Sequence, residues 1–318
     1  MDIVVTFVEF TVVGFALIAG IFLVRNAAQG KSDHMRQTYE LFFPGTMGHE
    51  QMLLFIRSLS GLPKPRFLQP TYAVSFERYA DEKGERYFLH TPGKIAARLD
   101  ELFYEHIDGS MEPVKAEDDP IVRTPWTQAP ELTMTGGQAG LTTPLRVISP
   151  GGTARSMGAQ FKNISAGEAV VLQWVIFPDR PRAATADDEE KVADHTFHAI
   201  ARLRARGDEP HGMIHDLYSA LSSVHSHGAH FRRRLVPDPV ARLARRSGTL
   251  GFPIFLNAVE FSALMGWPLN GTGARQAKRI PPTTAHDTEG IILGTANSPK
   301  MHDWRIAIRP KPVTCTCG

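Results

Sequence analysis

The chain has 318 residues, with 35 Lys and Arg against 33 Asp and Glu, for a formal net charge of +2 at pH 7. This balance excludes a whole-chain electrostatic argument for nucleic acid or a membrane surface, while the length allows two compact domains with real cores. The 2 cysteines, Cys315 and Cys317, stand together near the C-terminus as Cys-Thr-Cys, which excludes a disulfide scaffold and lacks metal-knuckle spacing.

Residues Ile3 to Val24 form a nearly unbroken apolar run whose only formal charge is Glu9. At ~1.5 Å rise per residue, a helix over it reaches ~33 Å, enough to cross the hydrocarbon of a bilayer. No basic region precedes the run and no clean A-x-A site follows, which favours an uncleaved anchor over a signal peptide. Arg25, Lys31 and Arg36 follow it. The pattern therefore predicts a transmembrane anchor over 1–30, in a single-pass cell-membrane protein with a short N-terminus outside and the C-terminal bulk cytoplasmic. Gly30-Lys31-Ser32 imitates the end of a Walker A motif. Arg25 stands where that motif needs glycine, and no core strand precedes it, so it is rejected as a phosphate loop.

Residues 31–48 read as a connector, with Pro44-Gly45 as a turn signal. A first unit is expected over 49–116. Met52, Leu53, Phe55, Ile56 and Leu59 predict a helix from His49 to Leu59. Thr71 to Ala80 and Glu85 to His90 read as a hairpin around Asp81-Glu82-Lys83-Gly84. Lys94 to Ile107 is a helix stopped at Asp108-Gly109, and a strand is expected near Met111–Val114. Residues 117–143, rich in Pro, Thr and Gly, read as a linker. A second unit over 144–249 would hold a strand at Leu145–Ile148, a helix at Ala154–Phe161 and a buried strand at Ala169–Phe177. A strand at His195–Arg204 and a long helix from Met213 to about Arg232 complete it. The expected fold class is α+β: an N-terminal transmembrane helix, two ferredoxin-like α/β sandwich units in tandem, and an irregular C-terminal segment over 250–318.

Charge is unevenly spread. Residues 77–119 are acid-rich, including Glu112, Glu117, Asp118 and Asp119. Within 195–250 stand Arg202, Arg204 and Arg206, and the clusters Arg232, Arg233, Arg234 and Arg242, Arg245, Arg246. These two clusters are the candidate contacts for nucleic acid or an acidic partner, against the plainer reading of solvated faces. His211 and His215 are spaced i, i+4, with His225, His227 and His230 beyond. The glutamate of H-E-x-x-H is missing, so a polar helix face is preferred to zinc. No nucleophile elbow or catalytic cysteine setting appears, and no catalytic residue, cofactor or metal is expected.

The distal stretch is the most distinctive. Gly251–Leu269 carries G-F-P, N-x-x-E-F and G-W-P-L; Pro281-Pro282 bends the chain, Ile292–Asn297 reads I-L-G-T-A-N, and Trp304 to Ile308 reads as a short strand. This combination resembles the region ahead of the nucleotide-binding domain in conjugative-transfer ATPases of actinobacterial type IV secretion systems, in the HerA/FtsK-like motor class. The resemblance implies a membrane-anchored, non-catalytic N-terminal assembly region of such an ATPase, truncated before the Walker A motif and involved in DNA or protein translocation. It also implies homo-oligomerisation and contact with other secretion-channel subunits, with DNA as a further partner. Without a Gly-rich loop and its lysine to hold phosphates, ATP hydrolysis by this chain is not expected. The alternative is a stand-alone bitopic protein with a cytoplasmic ligand-binding or hydrolase domain, its pocket drawn from Tyr72, Glu77, Trp174 and His198.

Overall fold

The computed structural model describes residues 35–63, 72–128, 130–135, 144–147, 149–162, 164–179, 191–226, 228–234, 246, 254–269, 291–295 and 305–308, with 20, 24 and 189 as isolated positions. Two units are separated, Met1–Ala277 and Lys278–Gly318. The second contains an antiparallel pair, β10 (Ile291–Thr295) and β11 (Arg305–Ile308), whose register shifts between Ile292 and Gly294.

The first unit is built on one antiparallel sheet of nine strands. In chain order its elements are β1 (Arg36–Phe42), α1 (His49–Ser58), β2 (Val74–Asp81), β3 (Gly84–Pro92), α2 (Gly93–Ile107) and β4 (Ser110–Val114). Then come α3 (Pro120–Arg123), β5 (Glu131–Thr135), α4 (Pro150–Ala159), β6 (Ala169–Asp179), β7 (Thr196–Arg206), α5 (Pro210–Ser222) and β8 (His230–Arg234). Last are β9 (Ile254–Asn257) and α6 (Ala258–Leu264). The strands lie in the order β4-β1-β3-β2-β6-β7-β5-β8, and β9 pairs with β7.

Two expectations are corrected here. In place of two separate sandwiches there is one continuous sheet, because β2 and β6 pair over their length from Val74↔Ile176 to Asp81↔Ala169. Both strands are buried on both faces, so neither can serve as a solvent-facing edge, and joining them satisfies their backbone groups. The expected single-pass membrane placement is corrected as well. Among the described residues no helix is long and apolar enough to cross a membrane, and Ile3–Val24, where the anchor was expected, lies outside them apart from isolated positions. Gly30-Lys31-Ser32 also falls outside the described residues.

Within the sheet the connectivity is repeated. Strands β1–β4 follow strand-helix-strand-strand-helix-strand and lie as 4-1-3-2; β5–β8 follow the same sequence and lie in the mirrored sequence of positions. The repeats abut through their second strands.

Local chemistry explains several boundaries. Asp81↔Gly84 closes the β2–β3 hairpin over two residues, and Gly84 takes a positive φ of 107° there. Asp108 adopts the left-handed conformation that ends α2 and donates its N–H to the Tyr104 carbonyl. Alternation places Val74, Phe76, Leu89, Leu172, Trp174 and Leu203 in the main core with helix residues such as Phe55, Leu99, Phe103, Leu217 and Phe261. The other face carries a smaller apolar cluster of Tyr79, Phe88, Ile121, Trp126, Ala169 and Val171.

Four strands were not expected. β1 lies in the presumed connector, β5 in the presumed linker, β9 in the presumed irregular segment, and β8 where the long helix was expected to continue. That helix stops at Ser222. Leu145 to Val147 is irregular rather than a strand.

Candidate functional site

Two transverse rows of side chains cross the sheet face opposite the main helical core. In the first, Val114, Thr38, His90 and Ser75 occupy paired positions on β4, β1, β3 and β2. In the second, Arg234, Glu131, Arg202 and Gln173 do so on β8, β5, β7 and β6. Gln173 is in turn paired with Glu77 of β2. Ser75 and Glu77 share a face of one strand, so the rows meet at the seam between the two repeats. There Ser75 Oγ and Gln173 Nε2 both donate to Glu77 Oε1, at 3.0 and 2.7 Å.

Arg246 closes this junction. Its Nε and Nη2 donate to Glu77 Oε1 and Oε2 at 2.5 and 2.9 Å. Nη2 and Nη1 also donate to Asp119 Oδ1 and Oδ2 at 2.9 and 2.6 Å, and Nη1 reaches Thr38 Oγ1 at 3.3 Å. A guanidinium has five N–H donors in a planar fork, and these bonds use every one. Burial opposes the charge on Arg246, but Glu77 and Asp119 outweigh it and raise its pKa above the ordinary value. Arg246 is 1 % exposed, Glu77 1 % and Asp119 2 %.

The carboxylates are held by other groups too. Asp119 caps the short helix α3, its Oδ1 accepting from the Ile121 N–H at 3.0 Å. Thr38 Oγ1 donates to Asp119 Oδ2 at 3.0 Å, which leaves that hydroxyl to accept from His90 Nδ1 at 2.9 Å and fixes the tautomer of the ring. Burial, then the charges of Arg246 and Arg36, holds the His90 pKa well below its ordinary value, so the ring is neutral. Burial would raise the Asp119 carboxyl; the bonds and charge of Arg246, with Thr38 and Ile121, reverse this and lower it.

In the second row Arg202 donates from Nε to Glu131 Oε2 at 3.0 Å and from Nη1 to Gln173 Oε1 at 2.8 Å. Arg234 Nε donates to Glu131 Oε1 at 2.8 Å, with Nη2 on the same oxygen. Arg204 lies one pleat along; burial first, then the charge of Arg202, lowers its pKa to about 9. These groups recognise and register one another. Their chemistry is that of guanidinium–carboxylate pairing beside a neutral histidine.

The expected site residues are dispersed. Arg232 and Arg233 are exposed on β8, the last strand in the sheet order, with the Arg233 guanidinium 4.9 Å from the Tyr218 ring. Arg234 turns to Glu131, Arg246 points inward, and Arg242 and Arg245 lie outside the described residues. Of the pocket considered for a ligand, Trp174 is in the helical core, donating its indole N–H to the Leu264 carbonyl. Glu77 is on the opposite face, and His198 is paired with Asp179 at 2.8 Å at the far end of β7. Tyr72 packs against the core. The four do not converge. His225 and His230 have ring centroids 6.0 Å apart, but among the described residues no three His, Cys, Asp or Glu side chains could hold a metal ion.

The N-x-x-E-F and G-W-P stretches have clear structural roles. Asn257 and Glu260 form a capping box at the start of α6. Glu260 also receives the Leu145 N–H at 2.6 Å and the Lys191 ammonium on both oxygens at 2.5 Å. Burial is the larger influence on Lys191 and lowers its pKa against the pull of Glu260. Trp267 sits among Phe43, Phe55, Phe76 and Phe103, with centroids 5.0 to 5.9 Å away. Gly266, at φ +66°, gives its carbonyl to Arg78 Nη1 at 2.7 Å.

Sequence reading missed Thr38, Ser75, His90, Glu131 and Gln173; of these, Ser75 and Gln173 stand as single polar residues between apolar neighbours in buried strands. No protein-family model matches the chain, and comparison with curated proteins gives no match.

Proposed function

We propose that this chain is a non-catalytic assembly region of a conjugative-transfer, type IV secretion-class ATPase, serving DNA or protein translocation. Homo-oligomers, other secretion-channel subunits and DNA are its proposed partners. The observation that carries the reading is the integration of the resembling segment. Asn257, Glu260, Phe261 and Trp267 cap, pair and fill the core of the large sheet unit, so the segment that resembles those ATPases belongs to the body of the domain. The commitment of all five Arg246 donors to Glu77, Asp119 and Thr38 supports a scaffold in the same way. Groups committed to each other in this way hold strand register.

Light scattering of the full chain over a concentration series tests this. An assembly region gives discrete higher oligomers as concentration rises. A monomer at every concentration that also fails to capture a nucleotide-binding domain of such an ATPase contradicts it. For DNA, binding that weakens steadily with added salt supports contact through Arg232 and Arg233, and no binding at low salt removes that partner.

A further inference from the structure

The junction at the seam has the properties of a receptor site with its ligand in place. Glu77 Oε1 is held by Ser75 and Gln173, and Asp119 by Ile121 and Thr38, through bonds that do not involve Arg246. Gln173 is itself held by Arg202, which Glu131 fixes. Two buried carboxylates are thereby held facing one point by bonds that do not need the cation, and a planar fork meets both with paired N–H bonds. A lysine ammonium has three donors and could not satisfy the five bonds seen. The occupant comes from 127 residues beyond Asp119 and 169 beyond Glu77. Its backbone is in the left-handed region at φ 51°, unfavourable for a side chain of this size, with its carbonyl bonded by Arg36 Nη1 at 3.0 Å. The side-chain socket, more than local backbone preference, therefore determines where Arg246 sits.

We propose that Glu77, Asp119 and Thr38 form a guanidinium-recognition site, that Arg246 is its intramolecular ligand, and that the site accepts a free guanidinium when Arg246 is removed. The ligand class is a guanidinium, supplied in the folded chain by Arg246. The inference is independent of the assembly reading, because the socket operates the same way in any oligomeric state.

The test uses the full chain carrying Arg246→Ala, with methylguanidinium, methylammonium and sodium chlorides at equal concentration. The thermal midpoint of the variant falls below that of the parent protein. Methylguanidinium restores most of the loss in a saturable way, and the other two salts do not. In the triple variant R246A/E77Q/D119N, methylguanidinium has no such effect. Equal recovery with methylammonium, equal recovery in the triple variant, or none in R246A overturns the proposal. Should R246A fail to fold, nitrogen-15 spectra of the parent protein decide. A slowly exchanging Arg246 Nε–H that is lost in Glu77→Gln is expected, and rapid exchange with solvent refutes the socket.

Discussion

Arg246 and Asp119 are joined by two hydrogen bonds of 2.6 and 2.9 Å across 127 residues of chain. Arg246 reaches Thr38 of β1 and Glu77 of β2, so one side chain ties a late part of the chain to the strand that borders the join between the two repeats. Removing one member of a buried ion pair leaves the other charged and without water, at a cost of about 3–5 kcal/mol. Glu77→Ala is therefore expected to lower the unfolding free energy by that amount in urea titration. Glu112→Ala, on the exposed part of β4, should change it by less than about 0.5 kcal/mol.

Acidification should destabilise the fold in two stages. His90 is held far below its ordinary 6.5 by burial and by Arg246 and Arg36, and burial also lowers His49 and His225. The unfolded chain binds protons at these rings below about pH 6.5, while the folded chain resists them. More protons bound when unfolded means that stability rises with pH, and that it is lost as pH falls below that value. Asp119 has a lowered folded pKa, so its contribution persists above about pH 3.9 and disappears as pH falls further. Urea midpoints measured across this range should decline first near neutrality and again below about pH 4. His90→Gln should flatten part of the first decline.

The aromatic cluster around Trp267 gives a prediction for the segment that resembles secretion ATPases. Trp267→Ala removes a fully packed indole and should cost about 3–5 kcal/mol, with Trp267→Phe costing less. A side chain at Gly266 meets Arg78 Nη1 at 3.0 Å in a left-handed conformation, so Gly266→Val should also destabilise. Differential scanning calorimetry of the three variants checks this ranking.

The three neighbouring arginines of β8 should separate by role. Arg234→Ala leaves Glu131 buried with Arg202 as its other partner, and a loss of about 1–3 kcal/mol is expected. Arg232→Gln and Arg233→Gln should leave stability within about 0.5 kcal/mol. If DNA binds here, these two changes reduce the dependence of affinity on salt by about one ion each. Charged side chains on a terminal strand also discourage pairing with other chains, so the double variant should be more prone to aggregation.

Much of the fold was legible where one face was apolar and the other polar. The β2–β3 hairpin and α2 show clean periodicity and strong turn residues, and AVVLQWVIF reads as a buried strand. β1 and β8 did not read as strands because Thr38, Glu40, Arg232 and Arg234 place polar groups on a face that the fold buries in part or pairs with other charges. β5 is short and begins with a buried glutamate whose partners are Arg202 and Arg234. The junction itself has no local signature. Thr38, Glu77, Asp119 and Arg246 come from four separate parts of the chain, two of them outside the strands, and only the tertiary fold brings them together. Sequence reading placed Arg246 with Arg242 and Arg245 in one exposed cluster, since burial of an arginine depends on distant carboxylates that composition does not reveal.

Native-state hydrogen exchange along β2 and β6 tests the continuous sheet most directly. If the two repeats are one structure, amides of Val74–Asp81 and Ala169–Asp179 should open together, with the free energy of global unfolding. Seam amides that exchange well before the rest, with β1–β4 and β5–β8 unfolding at different denaturant concentrations, would contradict it.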